Sequence, residues 1–350
     1  MAIQDFIRGK LVKSKTKSLL SIDQINELVR INFGDDCQTG SIQELEGGMF
    51  NAAYMIERVN EHDKIVLKVS LAPETQTLSY EKDPMTTEIE VYRLIGQHTS
   101  IPTPRILAVD FSKQHIPCKY FFMTALEGIV MYMAFQQMTA ENLTALKIEL
   151  ADYFAQFHQI KGSYFGYFTD DPAKQFKTWR SAYTHMMDQI IADGRRLHSD
   201  LPYDRIERAM DDNAHYLDDI KVPCLVNFDL WPGNIYVVQK NGNYVIEGIY
   251  DFERAFWGDP LADFTAIGMI ARDLHHDPDI WNTYKIKSGI ENDLTQSDDI
   301  RFALYSIYIY TIMVVETFRY DDDHRNFQLD YSNQRLFKNL DKLDQLSKNE

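Results

Sequence analysis

The chain has 350 residues, and its hydrophobic content of 45% suffices for one large domain or for two lobes that share a cleft. Its 36 Lys and Arg against 52 Asp and Glu give a net charge of −16, which argues against duplex nucleic acid or an anionic membrane as a partner. The three cysteines, Cys37, Cys118 and Cys224, show no CxxC pairing and indicate a reducing compartment. The sequence shows no signal-peptide pattern and no apolar run of bilayer length, so we expect a cytoplasmic protein without membrane contact.

The N-terminal part of the chain predicts a helix within residues 1–36, followed by a small antiparallel sheet. Strands of this sheet are expected at residues 41–46, 50–58 and 64–70. Gly47 and Gly48 form the bend after the first strand. The stretch from there to Asn51 could hold its backbone N–H groups open toward phosphate oxygens, since glycine permits close approach. An ordinary hairpin turn is the alternative interpretation of this bend.

A lysine and a glutamate form the next candidate pair. Lys68 lies in the apolar stretch Ile65–Val69, where its ammonium group needs a partner unless the strand lies at a solvated edge. The following helix is expected to begin at Asp83-Pro84, and helical spacing places Glu88 on its apolar side with Tyr92. Glu88 is therefore the expected ion-pair partner of Lys68, and a solvated helix charge is the alternative.

The apolar stretch Tyr120–Thr124 predicts a strand that ends the N-terminal half. After it we place the boundary between a nucleotide-binding lobe, residues 1–124, and a helical lobe, residues 125–350, that contains the catalytic loop, the metal site and the substrate site. Backbone groups from Met123 to Ala125 could contact the edge of an adenine ring, whereas the side chains of this strand favour a core position.

Three polar side chains form the candidate catalytic group. Asp229 and Asn234 share one loop, and Asp251 lies further along the chain, beyond an Asn241-Gly242 pair that predicts a tight hairpin turn. The hairpin strands are expected at residues 235–239 and 244–250. Adjacent strands run about 5 Å apart, so Asn234 and Asp251 could bind one small cation. The pattern is similar to the catalytic-loop and metal-binding aspartate arrangement of protein-kinase-like phosphotransferases.

Residues 228–235, followed by 249–255 and 258–264, resemble the aminoglycoside phosphotransferase family, which also includes choline-kinase-like enzymes. The resemblance covers roughly residues 40 to 270 and extends to the order of the earlier motifs. It implies an α+β, bilobal, protein-kinase-like fold with a small antiparallel-sheet N-lobe and a larger, mostly helical C-lobe.

The resemblance also implies a role for each matching residue. Asp229 would be the catalytic base, and Asn234 and Asp251 would bind Mg²⁺. The residues expected to bind or orient ATP are Gly47, Gly48, Asn51, Lys68, Glu88, Met123 and Ala125. Asp263 resembles a family aspartate that supports the catalytic loop.

One departure from the family pattern concerns the catalytic loop itself. Asn227-Phe228-Asp229 stands where the family usually has His-Gly-Asp. The family histidine mainly braces the loop, and Asn227 can still form hydrogen bonds. A lone histidine elsewhere, His158 at the end of a predicted helix, is more typical of a packing or capping group than of a ligand.

These features predict an ATP-dependent phosphotransferase that moves the γ-phosphate to a hydroxyl of a small molecule, such as an aminoglycoside or another amino or hydroxyl compound. ATP and the small molecule are the expected partners, and no nucleic acid is expected. A nucleotide-binding module without turnover is one alternative. A metal-dependent hydrolase is another, although it leaves the predicted phosphate-binding residues unexplained. The acceptor is expected beside Asp229, and its candidate lining is Trp231, the helix at 179–187 and the aromatic helix before Asp321. A core position is the alternative for these aromatic stripes and is the commoner case.

Overall fold

The computed structural model describes residues 17–45, 50–266 and 274–346, which divide into two compact units. The first unit combines residues through Thr77 with Pro104–Leu126 and Phe318–Phe327, and the second combines Leu78–Thr103, Glu127–Thr317 and the residues from Gln328 onward. The helix that carries Glu88 falls in the second unit, whereas the expected functional boundary assigns it to the N-terminal lobe. That boundary, between residues 124 and 125, stays a prediction.

In its described residues the first unit contains a helix before a five-stranded antiparallel sheet with the strand order β1-β2-β3-β5-β4, together with the beginning of the last helix of the chain. Its helix α1 spans Ile22–Phe33 and its strands are β1 (Thr39–Glu44), β2 (Ala52–Arg58), β3 (Asp63–Val69), β4 (Ile106–Asp110) and β5 (Tyr120–Thr124). The three-stranded meander expected after the helix is therefore present, and β5 joins it beside β3.

The core of the first unit lies on one face of this sheet. Ser21 closes a capping box at the start of α1, and the helix packs its buried face against the side of β3 that carries Leu67 and Val69. Lys68 points to the opposite face and is only 7% exposed, in the central strand of the sheet. The edge-strand alternative for Lys68 is wrong.

The second unit is mostly helical. Its helices are α2 (Pro84–His98), α3 (Met131–Ala134), α4 (Ala140–Gln159), α5 (Trp179–Arg196), α6 (Tyr203–Asn213), α7 (Pro278–Ser288), α8 (Gln296–Val315) and most of α9 (Asp322–Leu346). Its strands are β6 (Ile129–Val130), β7 (Gly166–Tyr167), β8 (Cys224–Val226), β9 (Ile235–Lys240), β10 (Asn243–Ile249) and β11 (Phe256–Gly258). The strands form two three-stranded sheets, ordered β10-β9-β6 and β7-β11-β8.

The predicted hairpin is formed by β9 and β10. Asn241 and Gly242 both have positive φ, 54° and 84°, as a two-residue turn of type I′ requires. This turn sets the register that pairs Ile249 with Ile235 at the open end, with one irregularity after Ile246. The end of the hairpin that precedes Asp251 is thereby fixed by local turn chemistry.

Helix α8 corrects two expectations. The stretch Gln296–Arg319 is long and apolar enough to cross a membrane by length and composition, so the expected absence of such a run is wrong. However, 83% of its most apolar window is buried inside the protein, as in the core helix of a soluble protein. Tyr305 and Tyr308 on α8, like Trp179 and Tyr183 on α5, are at most 1% exposed, so these rings belong to the core rather than to an acceptor site.

Candidate active site

The loop that follows β8 is closed on itself by hydrogen bonds. The N–H of Trp231 donates to the carbonyl of Asp229 at 2.9 Å, and the N–H of Asn234 donates to the carbonyl of Trp231 at 2.9 Å. The Asn234 side chain then donates through Nδ2 to the Asp229 carbonyl at 2.9 Å and to Oδ2 of Asp229 at 3.3 Å. The predicted catalytic aspartate and the predicted metal-binding amide are thus in direct contact.

The hairpin brings Asp251 to the same loop. The N–H of Tyr250 donates to the carbonyl of Asn234 at 3.1 Å, and the Tyr250 hydroxyl donates to the carbonyl of Gly233 at 2.8 Å. Asp251 follows directly, with φ of 69° in the left-handed region, where a non-glycine residue is strained. The structure therefore places the backbone of Asn234 and Asp251 at one end of the hairpin, as the sequence predicts.

Asp251 belongs to a cluster of three carboxylates. Oxygen atoms of Glu88, Asp251 and Glu253 lie within 4.8 Å of one another. Helix α2 supplies Glu88, which is fully buried, and its neighbour Tyr92 accepts the Asp251 N–H at 3.4 Å and packs edge-on against Phe252 at 4.9 Å between ring centroids. The predicted inward orientation of Glu88 is confirmed, and its carboxylate lies beside Asp251.

This cluster fits a hard divalent cation. Its donors are all oxygen atoms, which Mg²⁺ prefers, and Oδ1 of Asn234 accepts no hydrogen bond within the described part of the chain. Glu253 was not among the predicted site residues. No local pattern signals it, because Asp251 has a left-handed backbone and Glu253 begins a turn closed by the Ala255 N–H on the carbonyl of Phe252.

The carboxyl group of Asp229 is electrostatically perturbed. Burial, with smaller contributions from Asp251 and Glu316, raises its pKa to about 7, although the guanidinium of Arg254 acts in the opposite direction. Nε of Arg254 lies 3.9 Å from Oδ2 of Asp229, and its other end pairs with Glu316 at 2.8 Å and lies over the Tyr80 ring. Arg254 was also not predicted, and its place beside the Asp251 motif is the only sequence signal for it.

Asp263 supports the loop that carries Asp229. This buried carboxylate accepts the N–H of Asn227 at 3.2 Å and that of Phe228 at 2.6 Å. His158 contacts Asp263 through Nε2 at 2.9 Å and the hydroxyl of Tyr284 through Nδ1 at 2.8 Å. The interpretation of Asp263 as a supporting residue is confirmed, and His158 is a satisfied buried group, as expected.

Asn227 and Phe228, the two residues that depart from the family pattern, are both held inside the protein. Asn227 is fully buried, yet neither Oδ1 nor Nδ2 has a hydrogen-bond partner among the described residues. Only its backbone N–H supports the loop, so the expected side-chain hydrogen bond is absent there. Phe228 has φ of 63°, which is strained for a residue other than glycine, and its ring packs 5.1 Å from Phe256 and 5.7 Å from Tyr308.

The predicted nucleotide residues of the first unit lie on or beside its sheet. In the register of the sheet Lys68 pairs with Ala53 and Phe121, and Met123 pairs with Val66. Asn51 is buried just before β2. The N–H of Ala125 already donates to the carbonyl of Lys64 at 3.1 Å, so this group is engaged in the sheet.

Three further predictions on the nucleotide side have different outcomes. Gly47 and Gly48 lie outside the described residues. The expected Lys68–Glu88 ion pair stays a prediction, since the two residues belong to different units.

A cavity of about 820 Å³ opens within the second unit. Glu253 lines it together with the first turns of α2, the segment around β7, and His185, Met186 and Gln189 of α5. Its aromatic walls are Tyr80, Tyr164, Tyr167, Phe168, Phe176 and Trp257. Helix α5, one of the two helices expected to line the acceptor site, therefore lines this cavity with His185, Met186 and Gln189 rather than with Trp179 or Tyr183.

This fold and this loop define a phosphotransferase of the protein-kinase-like class. The model of the Phosphotransferase enzyme family matches residues 41–284, and the chain belongs to that family. The predicted family and fold class are confirmed. No curated protein sequence matches the chain.

Solved structures with the same fold include several aminoglycoside phosphotransferases. The ternary complex of APH(4)-Ia with AMP-PNP and hygromycin B is 18% identical with a TM-score of 0.58, over 92% of this chain and 97% of that one. A Ralstonia eutropha protein assigned to the aminoglycoside phosphotransferases is 13% identical with a TM-score of 0.64, over 94% and 98%. ADP-bound APH(2'')-Ib is 15% identical with a TM-score of 0.56, over 93% and 98%. At these identities the likeness establishes the fold.

Proposed function

We propose that the protein transfers the γ-phosphate of ATP to a hydroxyl group of a small molecule, with Mg²⁺ as the metal. The observation that carries the proposal is the contact between Asp229 and Asn234 at 3.3 Å, beside the carboxylate cluster that contains Asp251. Phosphoryl transfer requires positioning and charge neutralisation, which a carboxylate, an amide oxygen and a cation supply. Related structures solved in complex with AMP-PNP, ADP or ATP support a nucleotide donor.

Each proposed role follows from chemistry at a stated atom. Oδ2 of Asp229 would orient the acceptor hydroxyl and accept its proton, a task suited to a carboxyl group with a raised pKa. Asn234 and Asp251 would bind the metal, with Glu253 as an additional ligand, and Mg²⁺ would neutralise phosphate charge. On the nucleotide side we keep Gly47, Gly48, Asn51, Lys68, Glu88, Met123 and Ala125 as predicted.

The test is an ATP-consumption screen over aminoglycosides, macrolides, amino alcohols, sugars and hydroxy amino acids, with wild type and Asp229→Asn. We expect acceptor-dependent consumption in wild type and a loss of about 10³-fold in the variant, with ATP binding retained. Asp204→Asn, at an exposed position on α6, is the matched control and should keep wild-type activity. Loss of both ATP binding and the fold in Asp229→Asn would contradict the role assigned to this residue.

A second candidate function is a nucleotide-binding module without turnover. Asn227 favours it, because its unpaired, buried side chain gives the loop less support than a hydrogen-bonded residue would. A thermal shift with Mg²⁺ and ATP, combined with no ATP consumption over the whole acceptor set, would establish this alternative. Acceptor-dependent turnover would exclude it.

A further inference from the structure

The cavity of the second unit contains charged groups that the proposed phosphoryl transfer does not use. Most of its acids have structural partners or roles of their own. Asp83 caps α2 by accepting the N–H of Thr86 at 3.4 Å, Glu90 pairs with Arg93 at 2.6 Å, and Glu253 belongs to the carboxylate cluster.

The cations of the cavity divide into two kinds. Lys161 is engaged, because its ammonium donates to the carbonyl of His158 and to Sγ of Cys224. Lys82 and Lys174 both line the cavity, and the neighbouring ammonium of Lys174 is the main cause of a lowered pKa of Lys82. Two like charges at one site repel each other.

Two acids stand near this lysine pair. Asp171 lies 3.6 Å from Lys174, and both side chains of that ion pair are more than a third exposed, so the compensation is weak. Asp170 lines the cavity at an exposed position. Lys82 is exposed, and the Lys174 side chain is 37% exposed, so both ammonium groups are accessible to an external anion.

The rest of the cavity provides a surface for an organic body. Phe168 and Trp257 pack at 4.9 Å between centroids, and Tyr80 stacks on Tyr167 at 5.7 Å. A volume of about 820 Å³ with aromatic walls and a few convergent polar groups is typical of a small-molecule site.

We propose that this cavity is a binding site for a small organic anion, whose phosphate or carboxylate group is bound between Lys82 and Lys174 while its body lies against the aromatic walls. An anion neutralises the repulsion of the two ammonium groups, whereas a polycation would add to it. Because Glu253 belongs both to this cavity and to the carboxylate cluster, a bound ligand contacts the segment that carries Asp251.

Binding is tested by calorimetry on the full chain, without nucleotide and at constant ionic strength. The probes share one hexose frame: glucose 6-phosphate, glucuronate, neutral glucose and cationic glucosamine. We expect one or both anions to bind at least about tenfold more tightly than glucose and glucosamine. The phosphate and carboxylate probes separate the two sources of negative charge.

The variants Lys82→Gln and Lys174→Gln should each weaken anion binding about tenfold and leave glucose unchanged. Lys221→Gln, an exposed lysine outside the cavity, is the matched control. A second measurement is limiting acetylation read by mass spectrometry, in which inorganic phosphate should protect Lys82 but not Lys221 relative to chloride. Unchanged anion affinity in both lysine variants, tighter binding of glucosamine, or no protection of Lys82 would overturn the proposal.

Discussion

The carboxyl group of Asp229 sits in surroundings that favour its protonated form when no metal is bound. Burial raises its pKa from 3.8 to about 7, and the nearby carboxylates of Asp251 and Glu316 act in the same direction. Between these two pH values the folded chain holds a proton that the unfolded chain has released. Stability conferred by this group is therefore fully present at low pH and is lost as the pH rises towards 7.

We predict that Asp229→Asn stabilises the metal-free protein at pH 8 by about 2 kcal/mol and has little effect near pH 4. This is about half of what the full shift in pKa represents, because a quarter of the side chain is exposed. The measurement is urea unfolding of both proteins in a chelator across this pH range. Equal pH dependence of the two free energies of unfolding would show that Asp229 does not titrate as described.

The hydrogen bonds of Asp263 to the loop that carries Asp229 give a second prediction at the residue scale. Asp263→Ala leaves the buried N–H groups of Asn227 and Phe228 without their acceptor and should destabilise the fold by about 3 kcal/mol or more. Asn227→Ala removes a side chain that makes no hydrogen bond, so its cost should stay within about 1 kcal/mol. Chemical denaturation measures both, and an equal cost for the two variants would contradict this division of roles.

At the scale of elements, the aromatic ring of Phe228 packs the loop that carries Asp229 against β11 and α8. The backbone there has φ of 63°, which costs about 1–2 kcal/mol for a residue with a Cβ atom. The ring contacts with Phe256 and Tyr308 offset that strain. A bulky residue is thus tolerated where the family usually has glycine, because the core holds its side chain.

The strain at Phe228 predicts that glycine is more stable than alanine at this position, the reverse of the usual order of stability. Phe228→Gly and Phe228→Ala both lose the ring and should be destabilised by several kcal/mol, but the glycine variant should be more stable than the alanine variant by about 1 kcal/mol. Elsewhere in a folded chain glycine is normally the less stable choice. Thermal unfolding measures the difference in stability between the two variants. An alanine variant at least as stable as the glycine variant would refute the strain argument.

The elements that the sequence predicts well are those encoded locally. Asn241-Gly242 specifies a hairpin turn, and the turn fixes the register that brings Asn234 and Asp251 to one end. Asp83 and Pro84 similarly specify the start of α2.

The sequence does not predict the features of the site that depend on tertiary packing. Glu253 joins the carboxylate cluster only because α2 packs against its segment, and Arg254 reaches Asp229 only in the folded loop. The isolation of the Asn227 side chain and the engagement of the Ala125 N–H with Lys64 also arise from packing and pairing that no local pattern contains.

At the scale of the whole molecule, the chain is a phosphotransferase built from a five-stranded antiparallel unit and a mostly helical unit. The proposed chemistry is concentrated in the helical unit, where Asp229, Asn234 and Asp251 converge from two stretches of sequence. The predicted nucleotide-binding residues Lys68 and Met123 lie in the sheet unit. Because Asn234 and Asp251 are proposed to bind the metal rather than the acceptor, metal binding can be measured before the acceptor is known.

The most direct test of the account is the binding of Mn²⁺ as a paramagnetic replacement for Mg²⁺, followed by electron paramagnetic resonance with AMP-PNP present. We predict that wild type and the exposed control Asp204→Asn bind the ion together with the nucleotide. Asp251→Asn should lose at least about tenfold in affinity, since it removes a charged oxygen ligand. Wild-type Mn²⁺ affinity in a folded Asp251→Asn variant would contradict the central claim that this carboxylate holds the metal.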